Sequence, residues 1–115
     1  MKISSLFLAI AVSVSFSLPS VFAADKAPVL DKSSCEAATY PKAALINEES
    51  GTVSVAVLVS TEAKVVEVKI DKSSGSKTLD KATSKIYSTC KYSPGQKDGK
   101  PEQSWTKIEH VWSLS

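Results

Sequence analysis

Residues 52–60 alternate without a break: Val53, Val55, Val57 and Val59 fall on one side, and Thr52, Ser54, Ala56 and Leu58 on the other. Successive side chains of a strand point to opposite faces, so this run predicts a strand whose valine face is buried in a sheet. Residues 65–71 carry a second alternation, with Val66, Val68 and Ile70 against Glu67, Lys69 and Asp71. The short connection at residues 61–64 makes the two runs an antiparallel hairpin. Val65 beside Val66 breaks the alternation near the turn and leaves room for a bulge.

The valine face needs a cover, and two segments supply it. Residues 40–46 place Pro41 at an early helical position ahead of Ala43, Ala44, Leu45 and Ile46, with a stop at residues 47–51. After the break Ser73-Ser74-Gly75, a second helix starts at Ser76 or Lys77 and runs to Thr89. It carries Leu79, Ala82, Ile86 and Cys90 at spacings of three and four on one face. Lys77, Lys81 and Lys85 fall on another face and read as solvated. Residues 91–103, with Pro94, Gly95, Gly99 and Pro101, read as a rigid loop. The last strand, residues 104–114, sets Thr106, Ile108, His110, Trp112 and Leu114 on one face and Trp105, Lys107, Glu109 and Val111 on the other. The expected fold is α+β, with two helices on one face of a three-stranded antiparallel sheet. A right-handed crossover places the strands in the order 2-1-3 and leaves the last one as a free edge.

Residues 1–23 do not fit this domain. Lys2, an apolar run from Leu6 to Phe16, Pro19 and the small-residue pattern before Ala24 read as a cleaved secretory signal peptide, too short in its apolar core to span a bilayer. No membrane insertion is expected after cleavage. Residues 24–39, with Pro28 and no sustained apolar period, read as an N-terminal arm, and residues 40–115 as the domain. The exported part has no Arg and a nearly even balance of Lys against Asp and Glu, so nucleic acid is not an expected partner. In an oxidising compartment Cys35 and Cys90 are expected to form a disulfide, and closing so long a loop is worth about 4 kcal/mol in the chain-entropy model.

Chemistry-bearing residues are sparse. His110 is the sole histidine, and its neighbour Glu109 points to the opposite face, so the two cannot act as base and orienting group. Asp80 lies in the first turn of the second helix, where a carboxylate favours the helix dipole. With no phosphate loop, metal cluster or nucleophile triad, neither catalysis nor a cofactor is expected.

The order of these pieces resembles the C-terminal domain of the TonB energy-transducer family over residues 40–114. The resemblance rests on Tyr40-Pro41 with Ala43-Ala44, Gly51 before the valines, and Ser73-Ser74-Gly75 followed by Leu79-Asp80 and Ala82. Lys91-Tyr92-Ser93-Pro94, Gly99 with Pro101, and Trp112 complete it. Two positions depart: Ala63 stands where the family commonly has Gly in the hairpin turn, and Cys90 where an apolar or aromatic residue is usual. The second departure supports a disulfide bracing the second helix against the arm.

The resemblance implies a periplasmic module that binds an extended segment of an outer-membrane receptor, or of another envelope protein, by strand addition at residues 104–114. Trp105, Lys107, Glu109 and Val111 are then the expected contact residues, while Trp112 is expected in the core. A complete transducer of this family has a membrane helix and a long proline-rich spacer upstream. Residues 24–39 extend to only about 55 Å, so this chain alone is not expected to reach from an inner-membrane motor. The alternative is a structural or regulatory envelope protein that self-associates through the same edge or modulates a full-length transducer.

Overall fold

A computed structural model describes residues 25–114; the signal peptide expected over residues 1–23 lies outside them. In chain order the elements are β1 (Val29–Asp31), a 3-10 turn (Lys32–Ser34), α1 (Lys42–Ile46), β2 (Gly51–Val59), β3 (Val65–Lys72), α2 (Lys77–Thr89), β4 (Lys91–Ser93), β5 (Gly95–Lys97), β6 (Lys100–Glu102) and β7 (Ser104–Trp112).

The alternating valines set the centre of the molecule. β2 lies between β3 and β7, antiparallel to both. Val53, Val55, Val57 and Val59 are fully buried, and with Leu79, Ile86, Tyr87 and Trp112 they form the core. Burying a valine side chain contributes roughly 1.5–3 kcal/mol relative to exposure, so this one strand carries a large part of the fold's driving force. Ser76 starts α2 as its N-cap, its Oγ accepting the Leu79 N–H at 3.1 Å. Lys77, Lys81 and Lys85 are exposed.

The hairpin joining β2 to β3 is a tight turn with a left-handed residue. Ser60 N–H donates to the Lys64 carbonyl at 2.8 Å, and Ala63 N–H to the Ser60 carbonyl at 3.0 Å. Ala63 has φ +67°, the conformation in which glycine carries no Cβ penalty. The bulge expected near Val65 and Val66 is present, because Leu58 pairs with Glu67 and Val59 with Val65, leaving Val66 over. A second bulge leaves Asp71 over between the Val55–Ile70 and Ser54–Lys72 pairs.

Two segments differ from their sequence expectation. The arm over residues 24–39 contains a strand, and the loop over residues 91–103 contains three. Val29 pairs with Ser93, Leu30 with Tyr92 and Asp31 with Lys91, and the isolated bridge between Lys26 and Gln96 continues the same register. In that register Pro28 falls opposite Pro94. Neither has an N–H, so the ladder is interrupted there. Gly95 permits the close approach of the arm: a Cβ on it would meet the Lys26 carbonyl oxygen at 2.8 Å and clash with Ser104 Oγ. β5 and β6 form a hairpin through Asp98-Gly99, both with positive φ, as a two-residue type I′ turn requires.

The Cys35–Cys90 disulfide closes this assembly, with the two Cα atoms 4.3 Å apart. Beside it the Lys91 N–H donates to Ser34 Oγ at 2.6 Å. The arm is therefore fixed both by a covalent bond at one end of its ladder and by backbone pairing along it.

Candidate functional site

The central sheet ends in two unpaired edges, β3 and β7. They are not equivalent. Both bulges of the sheet lie in β3, and bulges twist an edge away from a flat, pairing-competent geometry. β7 instead keeps an unbroken register against β2, from Gly51 with Trp112 to Val59 with Ser104, and contains no proline. No backbone hydrogen bond joins its outer side to another segment among the described residues.

The hairpin closure tells which groups face outward. Since the Ser60 N–H points to β3, alternation turns the N–H groups of Val59, Val57, Val55 and Val53 toward β7. Their partners Ser104, Thr106, Ile108 and His110 therefore spend their backbone groups on β2. The N–H and C=O groups of Trp105, Lys107, Glu109 and Val111 are left facing the free edge.

The side chains of those same four residues point to the sheet face away from the helices and are exposed. Across β2, Lys69 Nζ lies 4.6 Å from the centroid of the Trp105 ring, a cation–π geometry. Lys107 Nζ lies 3.6 Å from Asp71 Oδ2, which also accepts from Ser54 Oγ at 3.3 Å. Two cross-sheet pairs thus brace the open face. The ion pair is exposed and contributes about 0–1 kcal/mol. Trp105 remains 39% exposed, leaving part of the ring free for contact.

On the helix side the strand is anchored by its end. Trp112 is buried, and its Nε1–H donates to Thr83 Oγ1 at 2.8 Å, while Thr83 donates to the Leu79 carbonyl at 2.7 Å. Tyr40 meets the Trp112 ring edge-on. His110 Nδ1 lies 2.8 Å from the Tyr87 hydroxyl, and burial pushes the His110 pKa below its ordinary value. Asp80, expected to serve the helix dipole, also accepts from the Ser74 N–H at 3.0 Å and from the hydroxyls of Ser73 and Ser74. Burial raises its pKa, but these hydrogen bonds outweigh it and hold the carboxyl below its ordinary value. Both residues hold the fold together. No cluster of three or more potential metal ligands occurs among the described residues.

A groove of about 330 Å³ runs along β7, lined by Ile108, Glu109, His110 and Val111. Its opposite wall comes from Lys32, Cys35, Glu36 and Ala38 of the arm, and its floor from Ile86 and Tyr87 of α2. Consecutive residues from both faces of β7 line it and none from β2 does, which places the groove on the strand's unpaired side. Sequence alternation pointed to the edge but not to this groove, because its second wall is brought there by the disulfide and the arm ladder.

Two helices on one side of a three-stranded sheet, with one long regular edge left unpaired, define a small α+β module with free backbone donors and acceptors along that edge. The family described as Gram-negative bacterial TonB protein C-terminal matches residues 36–114. The chain belongs to that family. Among solved structures it is similar to the solution structure of the Helicobacter pylori TonB C-terminal domain (residues 194–285). That match has 24% identity and a TM-score of 0.48, covering 71% of this chain and 83% of that one. No curated protein matches the chain. No helix among the described residues is long and apolar enough to cross a membrane.

Proposed function

We propose that this chain is a periplasmic TonB-like binding module that takes up an extended segment of an outer-membrane receptor, or of another envelope protein, as a fourth strand on β7. The unbroken, bulge-free outer edge of β7 carries this reading, supported by membership of the family. Backbone groups of Trp105, Lys107, Glu109 and Val111 supply the hydrogen bonds, and their side chains read alternate positions of the incoming segment. Trp105 is the main contact on the open face. Capture of envelope proteins by the wild type and by Glu109→Pro tests it, with amide spectra confirming that both are folded. The variant is expected to lose the partner; recovery of the same partner by both refutes edge pairing.

A second reading is favoured by the arrangement of charge. Lys107 and Glu109 flank Ile108, so two copies pairing antiparallel about Ile108 set each Lys107 opposite the other copy's Glu109. Sedimentation over a concentration series decides it: a dimer that Lys107→Glu dissociates supports self-pairing, and a concentration-independent monomer refutes it.

A further inference from the structure

The groove beside β7 has a consequence for what the edge selects. We propose that it is a side-chain specificity pocket. A segment paired on β7 projects a branched or aromatic apolar side chain, from the position opposite Ile108 or His110, into the space between the strand and residues 32–38. This rests on the edge-pairing reading and deepens it.

Directly opposed residues of neighbouring strands point to the same face. Ile108 and His110 face the helix layer, pairing with the buried Val55 and Val53. A residue set opposite either one therefore enters the groove. The surface it meets is mostly uncharged: Ile86 and Ile108, the Cys35 half of the disulfide, and the Tyr87 and His110 pair. The Tyr87 hydroxyl and His110 Nδ1 satisfy each other at 2.8 Å. Charges sit at the rim, where Lys32, Glu36 and Glu109 carry both signs. A charged side chain entering the groove loses hydration and gains no dedicated counter-charge, whereas an apolar one loses only contact with water. The family match begins at residue 36, so Lys32 and Cys35, which build part of the wall, lie outside the matched segment.

Short polythreonine peptides carrying one central Leu, Ala or Asp, titrated into isotope-labelled protein and followed by amide and His110 ring signals, test the proposal. The Leu peptide is expected to bind about tenfold or more tightly than the Ala peptide, from the extra apolar burial, and the Asp peptide most weakly. Ala38→Trp fills the groove from an exposed position of the arm, away from the β7 backbone. It is expected to abolish the preference for Leu while leaving the Ala peptide's affinity unchanged. Glu109→Pro is expected to weaken all three. Equal affinity for Leu and Ala, or a preference that survives Ala38→Trp, overturns the pocket and leaves edge pairing standing. Unchanged binding to Glu109→Pro, or no binding by any peptide, overturns edge pairing and the pocket with it. A wild-type dimer whose His110 signal responds to no peptide assigns the groove to a second copy and also overturns the proposal.

Discussion

Proline substitutions at two adjacent positions of β7 should have very different effects. At Ile108 the N–H is directed at β2, so Ile108→Pro removes a ladder bond and strands the Val55 carbonyl beside a fully buried valine. Leaving such a group unsatisfied costs about 1–3 kcal/mol. Losing part of the Ile108 side chain from the core boundary costs about 2 kcal/mol more, for a total of roughly 3–5 kcal/mol. At Glu109 the N–H faces the free edge and the side chain faces solvent. Glu109→Pro breaks no ladder bond, and the ring's preferred φ costs about 1 kcal/mol, as for prolines tolerated on edge strands. Urea unfolding of both variants, with matching slopes to establish two-state behaviour, measures the gap, which should be at least about 2 kcal/mol with Glu109→Pro the more stable. The reverse order would mean that the even-numbered residues of β7 face outward, and the assignment of the binding edge would fall with it.

Four other outcomes follow from the geometry. Ala63→Gly relieves a left-handed alanine at φ +67°, a conformation costing about 1–2 kcal/mol, against about 0.4–1 kcal/mol for the added freedom of the unfolded chain. Stability should rise by roughly 0.5–1 kcal/mol, and a loss on urea titration would contradict the turn assignment. Replacing Cys35 and Cys90 together by Ala should lower stability by about 2–4 kcal/mol, while amide exchange still shows protection at Leu30 and Tyr92, which remain paired. The folded pKa of His110 lies below its ordinary value of 6.5, so the unfolded chain takes up its proton first. That contribution is complete above about pH 6.5 and is lost as pH falls toward the folded pKa. His110→Gln should flatten this part of a stability–pH curve. Asp80, also depressed, should act in a separate window below its ordinary value of 3.8, and Asp80→Asn should remove that one.

Sequence patterns made the central hairpin legible because period-two burial leaves its mark residue by residue. Val65 beside Val66 marked a bulge, Ser76 a helix start and Trp112 a buried strand end, all from local chemistry. The arm strand was hidden because Pro28 and five charges erase any alternation over residues 24–39, and its pairing partner lies sixty or more residues away. Asp98-Gly99 was a usable hairpin signal, outweighed by the surrounding Pro94, Gly95 and Pro101. Thr83 gave no sign of being buried, since its partner, the Trp112 indole, is 29 residues distant. For the site, strand alternation separated the open-face residues Trp105, Lys107, Glu109 and Val111 from the core. The groove stayed invisible because it exists only once Cys35 joins Cys90 and lays residues 32–38 beside α2.

The disulfide also decides how the molecule bears tension. When the chain is pulled from its N-terminal side, the β1–β4 pairing can peel apart rung by rung, but peeling stops at Cys35. Load then crosses directly to Cys90 and on through β4 to β7, bypassing the intervening chain. The chain between the two cysteines, which holds the hairpin, α1 and α2, cannot be drawn out while the bond is intact. In a single-molecule extension the 55-residue separation of the cysteines stays hidden. Reduction should release about 190 Å of additional length, at roughly 3.4 Å per residue.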